Sequence, residues 1–280
     1  MLQLRMKKID KEAYLIQTLH SKHIGDDAAV IGNMLYSMDA FFEDVHFKRT
    51  WMSMAQIARK AMLVNLSDAI AMNAVPKYAL VTISLPSELS HTEINALTKS
   101  LESTATEYGC EIIGGDTIGG DKLHLSITIV SHSMNPLLRT TLQEGDYLAY
   151  TGTLGESKKG LDALFRGESI PSDARFYEPT LRASFIAQSR EFLTAGMDIS
   201  DGLYCDTNKL LHMNTYGFES ILDISDEIGY SGEEYEMLVA FSPKNLAHVL
   251  AVAKETNTAL TVFAKVTKND AMYPCRSHHF

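Results

Sequence analysis

Aspartates recur in this chain beside glycines, serines and the ends of apolar runs, and such company is what metal and phosphate chemistry needs. Gly25-Asp26-Asp27 follows an isoleucine and precedes an apolar run. Asp39 closes a short apolar stretch, with Glu43, Asp44 and His46 just beyond. Asn65-Leu-Ser-Asp68 lies inside a helical apolar pattern. Gly114-Gly115-Asp116 and Asp198-Ile-Ser-Asp201-Gly202 repeat the theme. Hard divalent cations take oxygen ligands, and Mg²⁺ is usually shared between a few carboxylates and substrate phosphates. Carboxylates are plentiful here and His/Cys ligand spacing is missing, which favours magnesium over zinc or iron.

Asp68 carries most of this expectation. Val64, Leu66, Ala69, Ile70 and Ala71 surround it, and an acid in such a helix is costly unless paired or bound to a cation. The alternative is a water-facing stripe shared with Asn65 and Ser67. Gly-Gly-Asp and Gly-Asp-Asp are read as tight turns where a ligand can approach the backbone. Each alone is also an ordinary turn or N-cap sequence.

The elements that must position these acids follow from periodicity. Residues 35–39 read as a strand, 54–73 as a long helix ended before Pro76, and 78–85 as a strand closed by Pro86. Ile94, Leu97, Leu101, Ala105 and Tyr108 step by three and four, an amphipathic helix stopped by Gly109. Residues 123–130 alternate as a half-buried strand. The stretch from Asn135 to Asp146 is turn-rich and marks a domain boundary, giving domains 1–138 and 139–280. Beyond it, strands are expected at 147–151, 236–241 and 259–266. Helices are expected at 157–165, 181–193, 201–216 (with Gly217 as C-cap) and 244–255. The pattern is α/β or α+β in both halves.

Composition narrows the class. The formal net charge is −10 over 280 residues, which argues against a nucleic-acid binder built on a basic face. No apolar run approaches the ~20 residues of a membrane span, and the N-terminus lacks a signal-peptide core. Cys110, Cys205 and Cys275 are odd in number and far apart. That speaks against a disulfide framework and for a reducing cytoplasm. Gly152-Thr-Leu-Gly155-Glu-Ser157-Lys158-Lys159-Gly160 looks like a phosphate loop but lacks the Gly-Lys-Ser/Thr run. It reads as strand–turn–helix, whose helix N-terminus could still favour an anion. Ser277-His278-His279-Phe280 reads as a mobile tail rather than a metal site.

Several segments, in order, resemble the thiamine-monophosphate kinase family of the aminoimidazole-ribonucleotide synthetase (PurM-like) superfamily. They are Ile24-Gly-Asp-Asp-Ala-Ala-Val30, Ser37-Met-Asp-Ala-Phe-Phe-Glu-Asp-Val-His-Phe47, Lys60 to Met72 with Pro76, Ile113-Gly-Gly-Asp-Thr117, Tyr150-Thr-Gly-Thr-Leu-Gly155, Met197-Asp-Ile-Ser-Asp-Gly-Leu203 and Ser231-Gly-Glu-Glu-Tyr-Glu236. The resemblance implies a two-lobed fold. An N-terminal mixed α/β sheet would pair with its copy in a homodimeric barrel, and a C-terminal α+β lobe would close over the nucleotide. It implies transfer of phosphate from ATP to thiamine monophosphate, with several Mg²⁺ ions and no partner nucleic acid or membrane.

Carried over by motif position, Asp27, Ser37, Asp39, Asp68, Asp116, Asp198 and Asp201 would hold metal. Tyr108, Gly115, Asp116, Arg139 and Ser200 would touch the nucleotide, and His46 and Glu233 would line the thiamine phosphate pocket. A C-terminal aromatic, Phe280 or Tyr273, would lie against the thiamine rings. Met38 stands where the family has Thr, Asn73 where it has Gly, and Glu234 where it has Asp. Another ATP-dependent enzyme of the superfamily, or a non-catalytic nucleotide-binding relative, are the alternatives.

Overall fold

The computed structural model describes residues 11–275. In chain order its helices are α1 (Lys11–Thr18), α2 (Met54–Ala71), α3 (His91–Glu107), α4 (Glu156–Phe165), α5 (Ala183–Ser189), α6 (Leu203–Asn214), α7 (Asp226–Gly229) and α8 (Leu246–Glu255). The strands are β1 (Ala29–Ile31), β2 (Met34–Phe42), β3 (Val75–Pro86), β4 (Glu111–Gly120), β5 (His124–His132), β6 (Tyr147–Thr151), β7 (Ala195–Asp198), β8 (Gly217–Ser220), β9 (Met237–Phe241) and β10 (Leu260–Thr267). They form two five-stranded sheets, ordered β1-β2-β5-β3-β4 and β7-β9-β6-β10-β8. The fold is mixed α/β.

Helix α2 lies against both sheets, touching β2, β3 and β5 on one side and β7 on the other. Its start is fixed by a capping box. The Ser53 hydroxyl accepts the Gln56 N–H, and the Gln56 side chain accepts the Ser53 N–H. Nearly every residue from Ile57 to Ala71 is buried, so the polar Lys60, Asn65, Ser67 and Asp68 must find partners inside. The turn after α2 uses a left-handed residue, Asn73 at φ 53°. Asn tolerates that conformation better than other residues with a side chain, so it serves where the family has Gly.

Alternation in β5 is real: Leu125, Ile127 and Ile129 are fully buried, and Ser126, Thr128 and Val130 face the other way. Tyr36, Met38, Tyr78 and Leu80 are in register with that second face and are exposed. The first sheet thus carries an uncovered, largely apolar surface.

Three expectations are corrected. Gly114 to Thr117 is not a turn but the middle of β4, parallel to β3 and at the sheet edge. Gly115 is required there because a Cβ would fall 1.8 Å from the Val81 carbonyl oxygen. Helix α6 ends earlier than expected, at left-handed Thr215, and Gly217 opens β8 instead of capping. Finally, Cys205 and Cys275 are disulfide-bonded, whereas Cys110 is free and buried. Spacing could not show this pair. Tyr273 stacks on Tyr204 and Phe218, and Asn208 bonds both its N–H and its carbonyl, so the tail folds back onto α6.

Candidate active site

Three carboxylates converge from three elements. Asp27 comes from the bend before β1, Asp68 from the last turns of α2 and Asp198 from the end of β7. Each offers an oxygen within 4.8 Å of the others. At an effective dielectric near 20, unit charges so spaced repel by roughly 3–4 kcal/mol per pair. The sequence accepts this cost because the elements are held elsewhere by apolar packing. Burial, then the charges of Asp39, Asp198 and Asp27, hold the Asp68 carboxyl well above its ordinary range. Burial, then Asp27, does the same to Asp198. Asp27 is raised by burial, against the opposing pull of the Arg139 guanidinium that contacts it.

The surroundings orient these acids. The Ser67 hydroxyl donates to Asp198 Oδ2 at 2.6 Å. The Asp39 backbone N–H donates to Asn65 Oδ1 at 2.8 Å, tying β2 to α2, and the Asp39 charge bears on Asp68. Asp27 Oδ2 and Ser37 Oγ are buried without a hydrogen-bond partner. An all-oxygen donor set with orphaned buried oxygens suits a hard cation such as Mg²⁺.

Other expected residues lie apart from this cluster. Asp116 is exposed on edge strand β4, in register with Thr82 on the uncovered face. Asp201 pairs with Lys209, which also holds Asp206. Burial pushes the Asp206 carboxyl up to about 6. Tyr108 closes α3 near Glu107, Arg59 and Glu178. Ser200 accepts the Glu233 N–H at 2.7 Å through its carbonyl. Phe280 lies outside the described residues, and Tyr273 is packed into the α6 aromatic stack. Met38 is 64% exposed and points away from the cluster. Strand alternation gives residue 38 that face whatever its identity, so a Thr hydroxyl there would not reach Asp68 of its own chain either.

A cavity of about 250 Å³ brings His46 and Glu233 together, lined also by Asp44, Trp51, Phe165 and Phe176. Trp51 and Phe165 meet edge to face at 4.9 Å. His46 is fixed by the Phe42 N–H, which donates to Nδ1 at 3.0 Å, and by stacking on Phe41. Acids and aromatic faces together suit a flat cationic ring. Tyr235 joins cavity to cluster. It is buried, and its phenol is raised well above the ordinary range by burial and then by Glu233, Asp39, Asp198 and Asp68. Glu233 and Tyr235 both hold left-handed backbone, φ 55° and 52°, a strain often kept where geometry matters.

Sequence reading does not single out Ser67, Lys60 or Tyr235 as site residues. All three sit inside the quoted motifs, Lys60 as the first residue of one, so their signal is adjacency alone. The anion expected at the N-terminus of α4 is supplied by the chain itself. Glu234 accepts the Gly155 N–H at 2.8 Å and the Ser157 N–H at 3.1 Å.

The family described as AIR synthase related protein, N-terminal domain, matches residues 25–132. Thiamine-monophosphate kinase of Aquifex aeolicus is 32% identical over 78% of this chain and 76% of its own length. That of Bacillus subtilis is 30% identical over 76% of this chain and 75% of its own. The structure of AaThiL complexed with AMPPCP and TMP superposes with a TM-score of 0.82 at 25% identity, covering 96% of this chain and 95% of that one.

Proposed function

Because the chain belongs to the thiamine-monophosphate kinase family, we propose that it transfers the γ-phosphoryl group of ATP to thiamine monophosphate, giving thiamine diphosphate and ADP. The observation that carries the reading is the Asp27–Asp68–Asp198 cluster together with the cavity that holds His46 and Glu233, linked through Tyr235, on which acids of both act. The AaThiL complex with AMPPCP and TMP supports both co-substrates.

The acceptor is a phosphate oxygen, already anionic, so no side chain need act as general base. The obstacle is bringing two polyanions together. Magnesium ions, when bound, supply the positive charge that offsets this repulsion and braces an in-line transfer. Asp27, Asp68 and Asp198 would hold them, with Ser37 and Asp39 alongside and Ser67 orienting Asp198. Asp201 enters only where Lys209 gives way. Glu233 and the aromatic walls would orient the thiamine rings, and His46 the phosphate side. Arg139, Tyr108 and Ser200 would meet the nucleotide, with 1–138 supplying Asp27 and Asp68 and 139–280 supplying Asp198 and closing on the nucleotide. Direct transfer fits, because the acceptor phosphate oxygen is itself the nucleophile and ADP the leaving group, so no protein nucleophile is needed.

A homodimer completes this reading. The uncovered face bearing Tyr36, Met38, Tyr78 and Leu80 fits a second copy. Gly115 and Asp116, on the same sheet's edge, would then serve the partner's cluster rather than their own. ATP is an intracellular metabolite, which fits a reaction in the cytoplasm. ADP release that requires both thiamine monophosphate and Mg²⁺ supports the proposal; ADP release driven instead by an amidine ribonucleotide contradicts it.

A further inference from the structure

Lys60 is fully buried on α2, and its ammonium donates to Glu233 Oε2 at 2.8 Å. The Phe176 ring lies 3.9 Å from the nitrogen and the Phe41 ring 5.8 Å. A buried ammonium is costly without a counter-charge and good geometry. A pair serving only the core would bury both members. Here the lysine side chain is 0% exposed and the glutamate 27%, and Glu233 opens into the 250 Å³ cavity. Glu233 is thus fixed at both ends. Its left-handed backbone is held by the Ser200 carbonyl, and one carboxylate oxygen is held by Lys60. Phe176 touches both parts of this device, as a wall of the cavity and as the face over the ammonium.

We propose that Lys60 is a positioning residue for substrate recognition. It aims the second oxygen of Glu233 into the cavity and stops that carboxylate from turning away from a cationic ring. The inference rests on the kinase reading, because the ring it serves is that of thiamine monophosphate. Lys60 itself touches no substrate. Its effect passes through Glu233, and a cation–π contact with Phe176 sets where the ammonium sits.

The test is equilibrium binding of thiamine monophosphate, read by calorimetry, in a cycle of Lys60→Met, Glu233→Gln and the double variant, with kcat, both KM values and Tm measured alongside. Lys60→Met is expected to raise Kd and KM for thiamine monophosphate about tenfold, with KM for ATP unchanged and kcat altered less than threefold. In the Glu233→Gln background the same change is expected to shift Kd less than threefold. Equal shifts in both backgrounds, or none, overturn the proposal and point to a packing role. Phe176→Leu, which keeps the ion pair but also alters a cavity wall, is expected to raise Kd in both backgrounds, and at least threefold more where Glu233 is intact. That cycle decides the matter if Lys60→Met does not fold. An unmodified chain that binds no thiamine monophosphate overturns the kinase reading itself. Binding by the unmodified chain with indifferent variants overturns only the role of Lys60.

Discussion

Ser67 on α2 donates its hydroxyl proton to Asp198 Oδ2 on β7 at 2.6 Å, so one buried hydrogen bond ties α2 to the second sheet at the acid cluster. It fixes the carboxylate that meets Asp27 and Asp68. Partners that orient a metal ligand typically contribute 10–100-fold to metal affinity or activity. Ser67→Ala is therefore expected to weaken Mg²⁺ activation about 10–100-fold while leaving the secondary structure intact. Titration of activity against Mg²⁺ reads this directly, and an unchanged activation curve contradicts it.

Asp68 should affect stability in the opposite sense to activity. Its carboxyl is held well above the ordinary range by burial and by neighbouring acids, so the folded chain keeps a proton that the unfolded chain has lost. Stability without metal should then fall as pH rises from the ordinary carboxylate range through the raised one. Mg²⁺ should reverse the trend, since binding needs the ionised form. Asp68→Asn is expected to flatten this slope and to stabilise the metal-free protein by roughly 1–3 kcal/mol. It should also abolish turnover. Urea midpoints across pH, with and without Mg²⁺, measure it; a steeper slope in Asp68→Asn contradicts the assignment.

Glu234 occupies the N-terminus of α4 through the Gly155 and Ser157 N–H groups and also accepts from the Ser231 hydroxyl. Removing it leaves several donors unpaired. Glu234→Ala is expected to cost about 1.5–3 kcal/mol, seen as a lower urea midpoint. Isothermal titration of the unmodified chain with sulfate should show no binding at α4.

Asp116 offers a test of assembly. It is exposed on the edge strand of the first sheet, and in the proposed homodimer it would serve the partner's cluster. Leu80→Glu, on the uncovered face, should yield monomers by sedimentation and lose activity. Inactive Asp68→Asn and Asp116→Asn chains, unfolded and refolded together, should recover about a quarter of normal activity, because half the dimers then carry one intact site. No recovery contradicts supply from the partner.

Much of the architecture is legible in the sequence because its signals are local. The alternation at 123–130, the capped apolar helix from Met54 and the strands at 147–151 and 236–241 all follow from periodicity and turn chemistry. Strand β4 escapes such reading because Gly114 and Gly115 carry no side-chain pattern; its pairing with β3 comes from backbone approach. That Asp27, Asp68 and Asp198 share one site is what the family resemblance implies, and in the fold their carboxylates lie close together. The Lys60–Glu233 pair and the Cys205–Cys275 bond join residues far apart in the chain. No local spacing encodes either; both depend on how α2 and the C-terminal tail dock.

Incubating the unmodified chain with ATP, Mg²⁺ and thiamine monophosphate, and following the products by mass spectrometry, should show thiamine diphosphate accumulating in step with ADP. It should be absent when Mg²⁺ is chelated or Asp68→Asn is used. ADP formed without thiamine diphosphate, or no consumption of thiamine monophosphate by a folded, nucleotide-binding chain, would contradict the account.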